Sequence, residues 1–260
     1  MSQPPLSGNW VSCARPDPAA RWRLWCLPYA GGGAAAWNPW NARLAGAAEI
    51  AALRPPGRES RLLEAPFQQW APLVEELLGK MEPHLGRKYV LAGHSLGAML
   101  AFELARLARE WGKPGPAALI VSGARAPGSP RREPDLRELP DAKFIAELDR
   151  RYQGIPAAVR TEPELLALLL PVMRADLTIF ETHRHEAGKP LSVPILAMSG
   201  ESDPHVSRAE ALAWGEHTTS DFEAEFFPGG HFFIQSELGA VTTRVARFLA
   251  RQSLAGLPCE

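Results

Sequence analysis

The stretch Gly93-His94-Ser95-Leu96-Gly97 decides the fold, because it has the G-x-S-x-G form of a nucleophile elbow. An apolar run at residues 89–92 precedes it, and a pattern typical of a helix runs from residue 96 to about 110. In such an elbow a serine lies on a tight strand-to-helix turn, and glycines two positions to either side let the two backbones approach. The pentapeptide alone is a weak signal, and the strand and helix patterns around it strengthen it. Ser95 is therefore the candidate nucleophile.

Composition narrows the class of protein. The chain has 260 residues, 46% of them hydrophobic, which fits one α/β domain over residues 1–260 with a large core. Its formal net charge of −1 favours neither nucleic acid nor an anionic membrane as a partner. No apolar run is long enough to span a membrane, and the N-terminus does not resemble a secretory signal, so we expect a cytoplasmic protein. Cys13, Cys26 and Cys259 are odd in number and lack C-x-x-C spacing, so we expect no disulfide, metal site or other cofactor.

Strand and helix patterns alternate along most of the chain. Strands are predicted at residues 21–27, 48–53, 89–92, 117–121, 193–198 and 222–227, and helices at 67–82, 96–110, 207–214 and 236–251. This alternation predicts an α/β fold with a mostly parallel central sheet flanked by helices. Residues 1–20 and the C-terminal tail to residue 260 are expected to be loose, and residues 58–61 to form a solvated loop.

One long segment departs from the alternation. Residues 141–152, 162–170 and 172–182 have helical patterns, with Pro171 between the last two and no strand pattern among them. The apolar run at 165–170 is too hydrophobic to face water all round. A helical insert between two strands of a sheet often covers the strand ends. We therefore expect a lid at about residues 125–188 whose apolar inner face lines an acyl-sized cleft.

A serine nucleophile needs a base and an orienting carboxylate, which follow in the order Ser, Asp or Glu, His in hydrolases with this elbow. Asp203 lies just beyond the strand at 193–198, with Glu201 as a local competitor. His231 follows the strand at 222–227 and is flanked by two glycines and two phenylalanines. The other six histidines fit less well: His84 is expected on the surface, His94 inside the elbow and pointing away from Ser95, His183 and His185 in an H-x-H without a third metal ligand, His205 too near Asp203, and His217 in a polar loop. The sequence thus predicts the triad Ser95, Asp203 and His231.

A glycine-rich segment at residues 28–33 directly follows the first predicted strand. It lacks both the G-x-G-x-x-G spacing and the Lys-Ser/Thr pair of phosphate-binding loops. Two interpretations remain: a flexible loop, or the loop that donates a backbone N–H to an oxyanion hole. In the second case the donors are the N–H groups of Ala30 and of Leu96, the residue after the nucleophile.

Five motifs in order resemble those of the type II thioesterases, which are stand-alone α/β-hydrolases that accompany polyketide and nonribosomal peptide synthetases. They are LPYAGGG (27–33), PGRESR (56–61), GHSLGA (93–98), LPVMRAD (170–176) and GGHFF (229–233). The resemblance, from about residue 22 to 249, implies hydrolysis of stalled or wrong acyl groups from the phosphopantetheine arm of an acyl- or peptidyl-carrier protein. It implies that Ser95, His231 and Asp203 are nucleophile, base and acid, with the oxyanion hole at Ala30 and Leu96. His183 departs from the family pattern, where an aromatic residue is expected, and the Arg174-Ala175-Asp176 motif is assigned a structural role.

Alternatives with the same sequence features stay open. One keeps the triad but acts on oxyesters, or releases its product by cyclisation. Another is a catalytically inactive binding module for a carrier protein. The arginines of the predicted lid edge form either a docking surface for an acidic carrier or a solvated basic loop; they are Arg125, Arg131, Arg132 and Arg137.

Overall fold

A computed structural model of the protein describes residues 6–152, 155, 159 and 161–254, and within them seven strands form one sheet of order β1-β3-β2-β4-β5-β6-β7. The strands are β1 (Val11–Ser12), β2 (Trp22–Leu27), β3 (Ala48–Leu53), β4 (Tyr89–His94), β5 (Ala118–Ser122), β6 (Ile195–Gly200) and β7 (Phe222–Phe227). The helices are α1 (Asn38–Arg43), α2 (Trp70–Met81), α3 (Leu96–Glu110), α4 (Asp141–Tyr152), α5 (Pro163–Thr182), α6 (Arg208–Leu212), α7 (Phe233–Ser236) and α8 (Leu238–Leu254). Short 3-10 turns lie at Ala34–Trp37, Glu59–Arg61, Glu82–His84 and Ala213–His217. All strand pairs from β3 to β7 are parallel, so the predicted α/β class and mostly parallel sheet are confirmed.

Every residue of β2, β3, β4, β5 and β6 is buried, because helices cover both faces of the sheet. Successive side chains of a strand point to opposite faces. In β4, Leu91 packs in a cluster with Leu100 of α3, whereas its neighbour Val90 packs in a second cluster with Phe248 of α8. The sheet is therefore the middle layer of three, and the carboxyl ends of its parallel strands lie along one edge.

The N-terminal segment contains a strand that the sequence analysis did not predict. Val11 pairs with Leu53 and Ser12 with Ala52, so β1 adds an antiparallel edge to β3. The expectation that residues 1–20 are loose is therefore wrong for this pair, which is too short to give a periodic pattern. Cys13, next to β1, and Cys26 in β2 are buried free thiols. Cys259 and the tail after residue 254 lie outside the described residues.

The loop after β3 is also different from the prediction, which placed residues 58–61 in solvent. The side chains of Arg58 and Arg61 are only 6% and 7% exposed. Arg61 donates to Glu64 and lies 4.0 Å above the ring centre of Trp10, while Arg58 pairs with an acid of α5. Both charges can be buried because each has a carboxylate partner: Asp176 of α5 for Arg58, and Glu64 in the same loop for Arg61.

The segment between β5 and β6 contains α4 and α5 and no strand among its described residues. The prediction of two helices separated at Pro171 is wrong, since α5 is continuous from Pro163 to Thr182. Proline removes one backbone hydrogen bond, and the turns after it are held by burial of Val172, Met173 and Leu177. Leu165 and Leu168 are exposed, and none of the described helices is both long and apolar enough to cross a membrane.

Candidate active site

The elbow between β4 and α3 holds Ser95 in a conformation that L-residues rarely adopt, with φ 54° and ψ −119°. A Cβ on Gly93 would lie 2.0 Å from the carbonyl oxygen of Gly97, and one on Gly97 would lie 2.4 Å from that of Leu27. Both positions therefore require glycine, as the steric argument from the sequence expects. The Ser95 N–H donates to the Ser122 carbonyl at 2.8 Å, which ties the elbow to β5.

The loops after β6 and β7 bring Asp203 and His231 together. Nδ1 of His231 lies 2.8 Å from Oδ2 of Asp203, and the two side chains are 6% and 0% exposed. Oδ1 of the same carboxylate accepts the backbone N–H of His205 at 2.9 Å. Because a carboxylate only accepts hydrogen bonds, the proton of a neutral His231 is on Nδ1. Its Nε2 then has a lone pair available to accept a proton.

Close backbone approach makes this pairing possible. A Cβ on Gly200, the last residue of β6, would lie 2.3 Å from the carbonyl oxygen of Gly230. The Ser202 N–H donates to the Gly229 carbonyl at 2.9 Å, so the acid turn and the histidine loop are directly bonded. Glu201, the competing carboxylate, is exposed. The structure thus places Asp203, and not Glu201, against the imidazole.

Two cavities meet at Ser95 and His231. The first has a volume of about 260 Å³ and is also lined by Ala30 and Leu96, the two predicted oxyanion donors. The rest of its wall is largely apolar and includes Leu148, Ile155, Leu169, Met173, Leu177 and Phe180. The second, of about 470 Å³, has several basic side chains in its wall: Arg125, Arg131, His183, Arg184, His185 and His205. The predicted nucleophile, base and oxyanion donors therefore surround one space.

The arrangement of a serine elbow, a paired Asp–His and a glycine-rich loop has clear relatives. The model of the thioesterase domain family matches residues 22–252. The chain belongs to the thioesterase family. The gramicidin S biosynthesis protein GrsT of Aneurinibacillus migulanus is 36% identical over 226 residues, which cover 87% of this chain and 88% of that protein.

Solved structures give the same result. The type II thioesterase BorB from the borrelidin biosynthetic cluster is 37% identical, with a TM-score of 0.85 over 94% of this chain and 98% of that one. ClbQ from the colibactin NRPS/PKS pathway is 31% identical, with a TM-score of 0.86 over 91% of this chain and 100% of that one. This thioesterase is accordingly a serine hydrolase with the α/β-hydrolase fold.

Two histidines beside the Asp203–His231 pair make contacts that the sequence did not predict. His94 is fully buried, and its Nδ1 lies 2.9 Å from Oγ of Ser122, while its ring centre is 4.9 Å from that of His231. Burial first, and the neighbouring His231 second, hold the pKa of His94 well below its usual value. A neutral His94 thus backs the His231 ring without adding charge.

His205 connects the acid loop to the helical segment. Its Nδ1 lies 3.2 Å from Oε1 of Glu133, its Nε2 lies 2.6 Å from the carbonyl of Arg151, and its ring stacks on Tyr152 with centroids 4.4 Å apart. His205 was not expected to be the base because it is too near Asp203 in sequence, and it lies between Asp203 and α4. No spacing in the sequence points to these contacts, because the partners lie more than 50 residues away.

Two further histidines, His84 and His183, lie against tryptophan rings. His84 was expected on the surface, and this is wrong: it is 6% exposed and its ring lies against Trp25, at 6.2 Å between centroids. His183, where the family pattern has an aromatic residue, stacks on Trp70 with centroids 3.8 Å apart. The imidazole therefore makes a flat ring contact at that position. Within the residues that the structure describes, no third ligand joins His183 and His185 in a metal-binding group.

The four arginines of the predicted lid edge all face carboxylates. Their nearest partners are Glu133 for Arg125 at 3.6 Å, Asp135 for Arg131 at 2.8 Å, Glu210 for Arg132 at 2.9 Å, and Glu138 for Arg137 at 3.4 Å. This pairing neutralises much of the local charge. It favours the interpretation as a solvated, internally paired loop over that of a free basic docking surface.

Proposed function

We propose that this thioesterase is a type II, editing enzyme. It would hydrolyse acyl thioesters from the phosphopantetheine arm of an acyl- or peptidyl-carrier protein in polyketide or nonribosomal peptide synthesis. The names of its relatives support this setting, since they are proteins of gramicidin S, borrelidin and colibactin biosynthesis. The observation that carries the hydrolytic chemistry is the 2.8 Å hydrogen bond between His231 and Asp203 beside a cavity that also contains Ser95.

In the proposed mechanism Ser95 is the nucleophile and His231 the general base. Nε2 of His231 takes the Ser95 proton as Oγ attacks the thioester carbonyl, and the carboxylate of Asp203 stabilises the imidazolium that forms. The carbonyl oxygen becomes an oxyanion, which accepts hydrogen bonds from the N–H groups of Ala30 and Leu96. Backbone donors suit this task because they are oriented before the charge develops.

Two stages follow: the tetrahedral intermediate collapses to an acyl-enzyme, and water then hydrolyses the acyl-enzyme. The C–S bond breaks, and the departing sulfur takes the proton from His231, so that pantetheine leaves as the thiol and His231 is neutral again. Little acid assistance is needed because the pKa of a thiol is about 8.5. The acyl group remains on Ser95 as an ester. A water molecule, deprotonated by His231, attacks this ester, and the free acid leaves as Ser95 regains its proton. Neither stage requires a metal or cofactor.

The two cavities suggest how the substrate is divided. The smaller cavity has an apolar wall and would receive the acyl chain. The larger cavity would receive the phosphopantetheine arm, whose phosphate and amides need polar partners. Of the arginines in its wall, Arg184 donates to backbone carbonyls, whereas Arg125 and Arg131 are paired with carboxylates. Residues of α4 and α5 contribute to both walls, as Tyr152 and Phe180 do. We propose the segment at about 125–188 as the lid of one domain that spans residues 1–260.

Active-site substitution with matched substrates tests the proposal. Ser95→Ala should lower kcat for a carrier-bound acyl thioester by several orders of magnitude, about 10⁶-fold for a triad nucleophile. Ser202→Ala is the matched control, because Ser202 is an exposed serine that directly precedes Asp203 in the chain. It should stay within twofold of the wild type. Retention of activity by Ser95→Ala would refute the assignment of the nucleophile.

Substrate comparison decides between the functions. Short and long acyl thioesters are offered on carrier protein and on free pantetheine, together with matched oxyesters. Faster turnover of carrier-bound thioesters, with free acid as product, is the expected result. Faster turnover of oxyesters would indicate an esterase, and a cyclic product a releasing enzyme. Failure of a fluorophosphonate probe to label Ser95 would indicate a non-catalytic binding module.

A further inference from the structure

A buried ion pair is hydrogen-bonded to the glycine-rich loop that follows β2. Oδ1 of Asp176 accepts from Nη2 of Arg58 at 2.9 Å, and Oδ2 of the same carboxylate accepts the Gly31 N–H at 2.8 Å. Nη1 of Arg58 donates to the Gly32 carbonyl at 2.9 Å. Loop, carboxylate and guanidinium thus form a closed ring of three hydrogen bonds. The mechanism above uses neither of the two charged residues.

The ring joins three separate parts of the chain. Gly31 and Gly32 lie in the loop after β2, Arg58 lies in the loop after β3, and Asp176 lies in α5, 118 residues further on. The side chains of Arg58 and Asp176 are 6% and 3% exposed. Charges this deeply buried interact strongly with their partners, because little water screens them. The loop after β2 is therefore attached to α5 by its backbone through a charged anchor.

The anchored groups determine the direction of the Ala30 N–H. The Gly32 N–H donates to the Tyr29 carbonyl at 2.8 Å, and Gly31 has φ 73°, so residues 29–32 form a turn of type II geometry. The Tyr29 carbonyl and the Ala30 N–H belong to one planar trans peptide and point in opposite directions. Fixing the Tyr29 carbonyl inside the turn therefore directs the Ala30 N–H away from it. Asp176 and Arg58 hold the last two residues of that turn.

We infer that Arg58 and Asp176 are positioning residues for the oxyanion hole. They hold the turn that orients the Ala30 N–H, and they couple this orientation to the position of α5. The inference rests on the proposed role of Ala30 as a donor. It replaces a merely structural role for the Arg174-Ala175-Asp176 motif with a catalytic consequence: a shift of α5 pulls on Gly31 through Asp176 and misaligns the donor.

The chain offers a matched control for the burial of charge. Nε of Arg23 lies 2.8 Å from Oε2 of Glu49, and these side chains are 7% and 3% exposed. This second pair lies between β2 and β3 and has the same chemistry and burial as Arg58–Asp176. Glu49 also pairs with Arg87 and accepts the backbone N–H of Asp17, and within the described part of the chain it has no hydrogen bond to the glycine-rich loop. Loss of either pair should destabilise the fold, but only loss of Arg58–Asp176 should affect catalysis.

The experiment compares Asp176→Asn with Glu49→Gln in the full-length chain. Active sites are first titrated with a fluorophosphonate, so that kcat refers to correctly folded enzyme. Removal of one oxyanion donor costs about 10²–10³-fold in kcat, so a misdirected donor should cost about 10- to 100-fold, with KM changed less than threefold. Affinity for a trifluoromethyl ketone, which forms a tetrahedral oxyanion on the serine, should fall by a similar factor. Glu49→Gln should lower the melting temperature while kcat per titrated site stays within twofold.

Opposite outcomes are equally clear. If Asp176→Asn keeps kcat and ketone affinity within twofold per titrated site, the pair is structural and the inference is wrong. An equal loss in Glu49→Gln would also overturn it. Should Asp176→Asn not fold, the double variant Arg58→Met/Asp176→Leu leaves no lone buried charge and is judged by the same readouts. Activity retained by Ser95→Ala would instead refute the proposed mechanism, so the two failures are distinguishable.

Discussion

Replacement of Asp203 by asparagine changes one oxygen into an amide group, and the surroundings decide how that amide is oriented. The backbone N–H of His205 donates to Oδ1 of Asp203 at 2.9 Å, so the asparagine oxygen must stay on that side. Its NH₂ group then faces Nδ1 of His231, which lies 2.8 Å from the other carboxylate oxygen. Nδ1 becomes an acceptor, and the imidazole proton moves to Nε2. In this tautomer His231 cannot take the Ser95 proton.

The size of the effect follows from two contributions. Restoring the active tautomer requires breaking a buried hydrogen bond, which costs about 1–3 kcal/mol. The carboxylate also attracts the imidazolium, by about 4 kcal/mol for charges about 4 Å apart at an effective dielectric constant of about 20. Together these give about 5–7 kcal/mol, or about 10⁴–10⁵-fold in rate. Because burial of the Asp203 charge offsets part of the attraction, we expect the lower value, about 10⁴-fold, which is also the loss for the equivalent change in a serine protease.

Steady-state kinetics with a carrier-bound or pantetheine thioester measure this loss. We expect kcat to fall by about 10⁴-fold with KM changed less than threefold, since Asp203 contacts His231 rather than the substrate. Glu201→Gln, which alters the exposed carboxylate two residues earlier, should stay within twofold of the wild type. A loss of less than tenfold in Asp203→Asn, or a large loss in Glu201→Gln, would show that the orienting acid is misassigned.

Two further predictions concern stability. Gly97→Ala would place a Cβ 2.4 Å from the carbonyl oxygen of Leu27, so we expect the free energy of unfolding to fall by about 3 kcal/mol or more and the melting temperature to fall by about 6–12 °C. Gly79→Ala is the control, because a Cβ there has nothing within 4 Å, and it should be neutral or stabilising. Equal melting temperatures for the two variants would contradict the steric argument. In the folded protein the pKa of His94 lies well below its ordinary value, because the ring is buried. Below about pH 6.5 the unfolded chain therefore binds a proton that the folded chain does not, and the free energy of unfolding decreases as the pH is lowered. His94→Asn should reduce the fall in urea midpoint between pH 7.5 and pH 5, and an unchanged fall would refute this role of His94.

Most of the sheet was predictable because β2 to β6 are short, buried and largely apolar runs bounded by glycine, proline and polar turns. The runs at 48–53 and 222–227 coincide with β3 and β7, and the helix expected from 96 to about 110 coincides with α3. Chain order then placed the predicted acid and base beyond the ends of neighbouring parallel strands, where the structure has Asp203 and His231 in contact. Local periodicity and topology carry this information together.

The buried charges were not predictable by the same means. An arginine in a polar tetrapeptide favours solvent, and Arg58 is buried only because Asp176 lies opposite it on a helix 118 residues later. His84 likewise follows an amphipathic helix but turns inward against Trp25. Pro171 predicts a helix end, yet α5 continues through it because packing of the flanking turns outweighs one lost hydrogen bond. In each case tertiary contacts override a local preference.

The backbone at Ser95, the proposed nucleophile, has a consequence for how variants of this enzyme can be selected. At φ 54° Ser95 occupies a region that glycine enters freely and that costs other residues about 1–3 kcal/mol. Glycine at this position would relieve that cost and remove the hydroxyl at the same time. Heat-challenge screening of a mutant library for folded protein alone would therefore enrich inactive clones at residue 95. Directed evolution toward thermostability needs a turnover assay in every round.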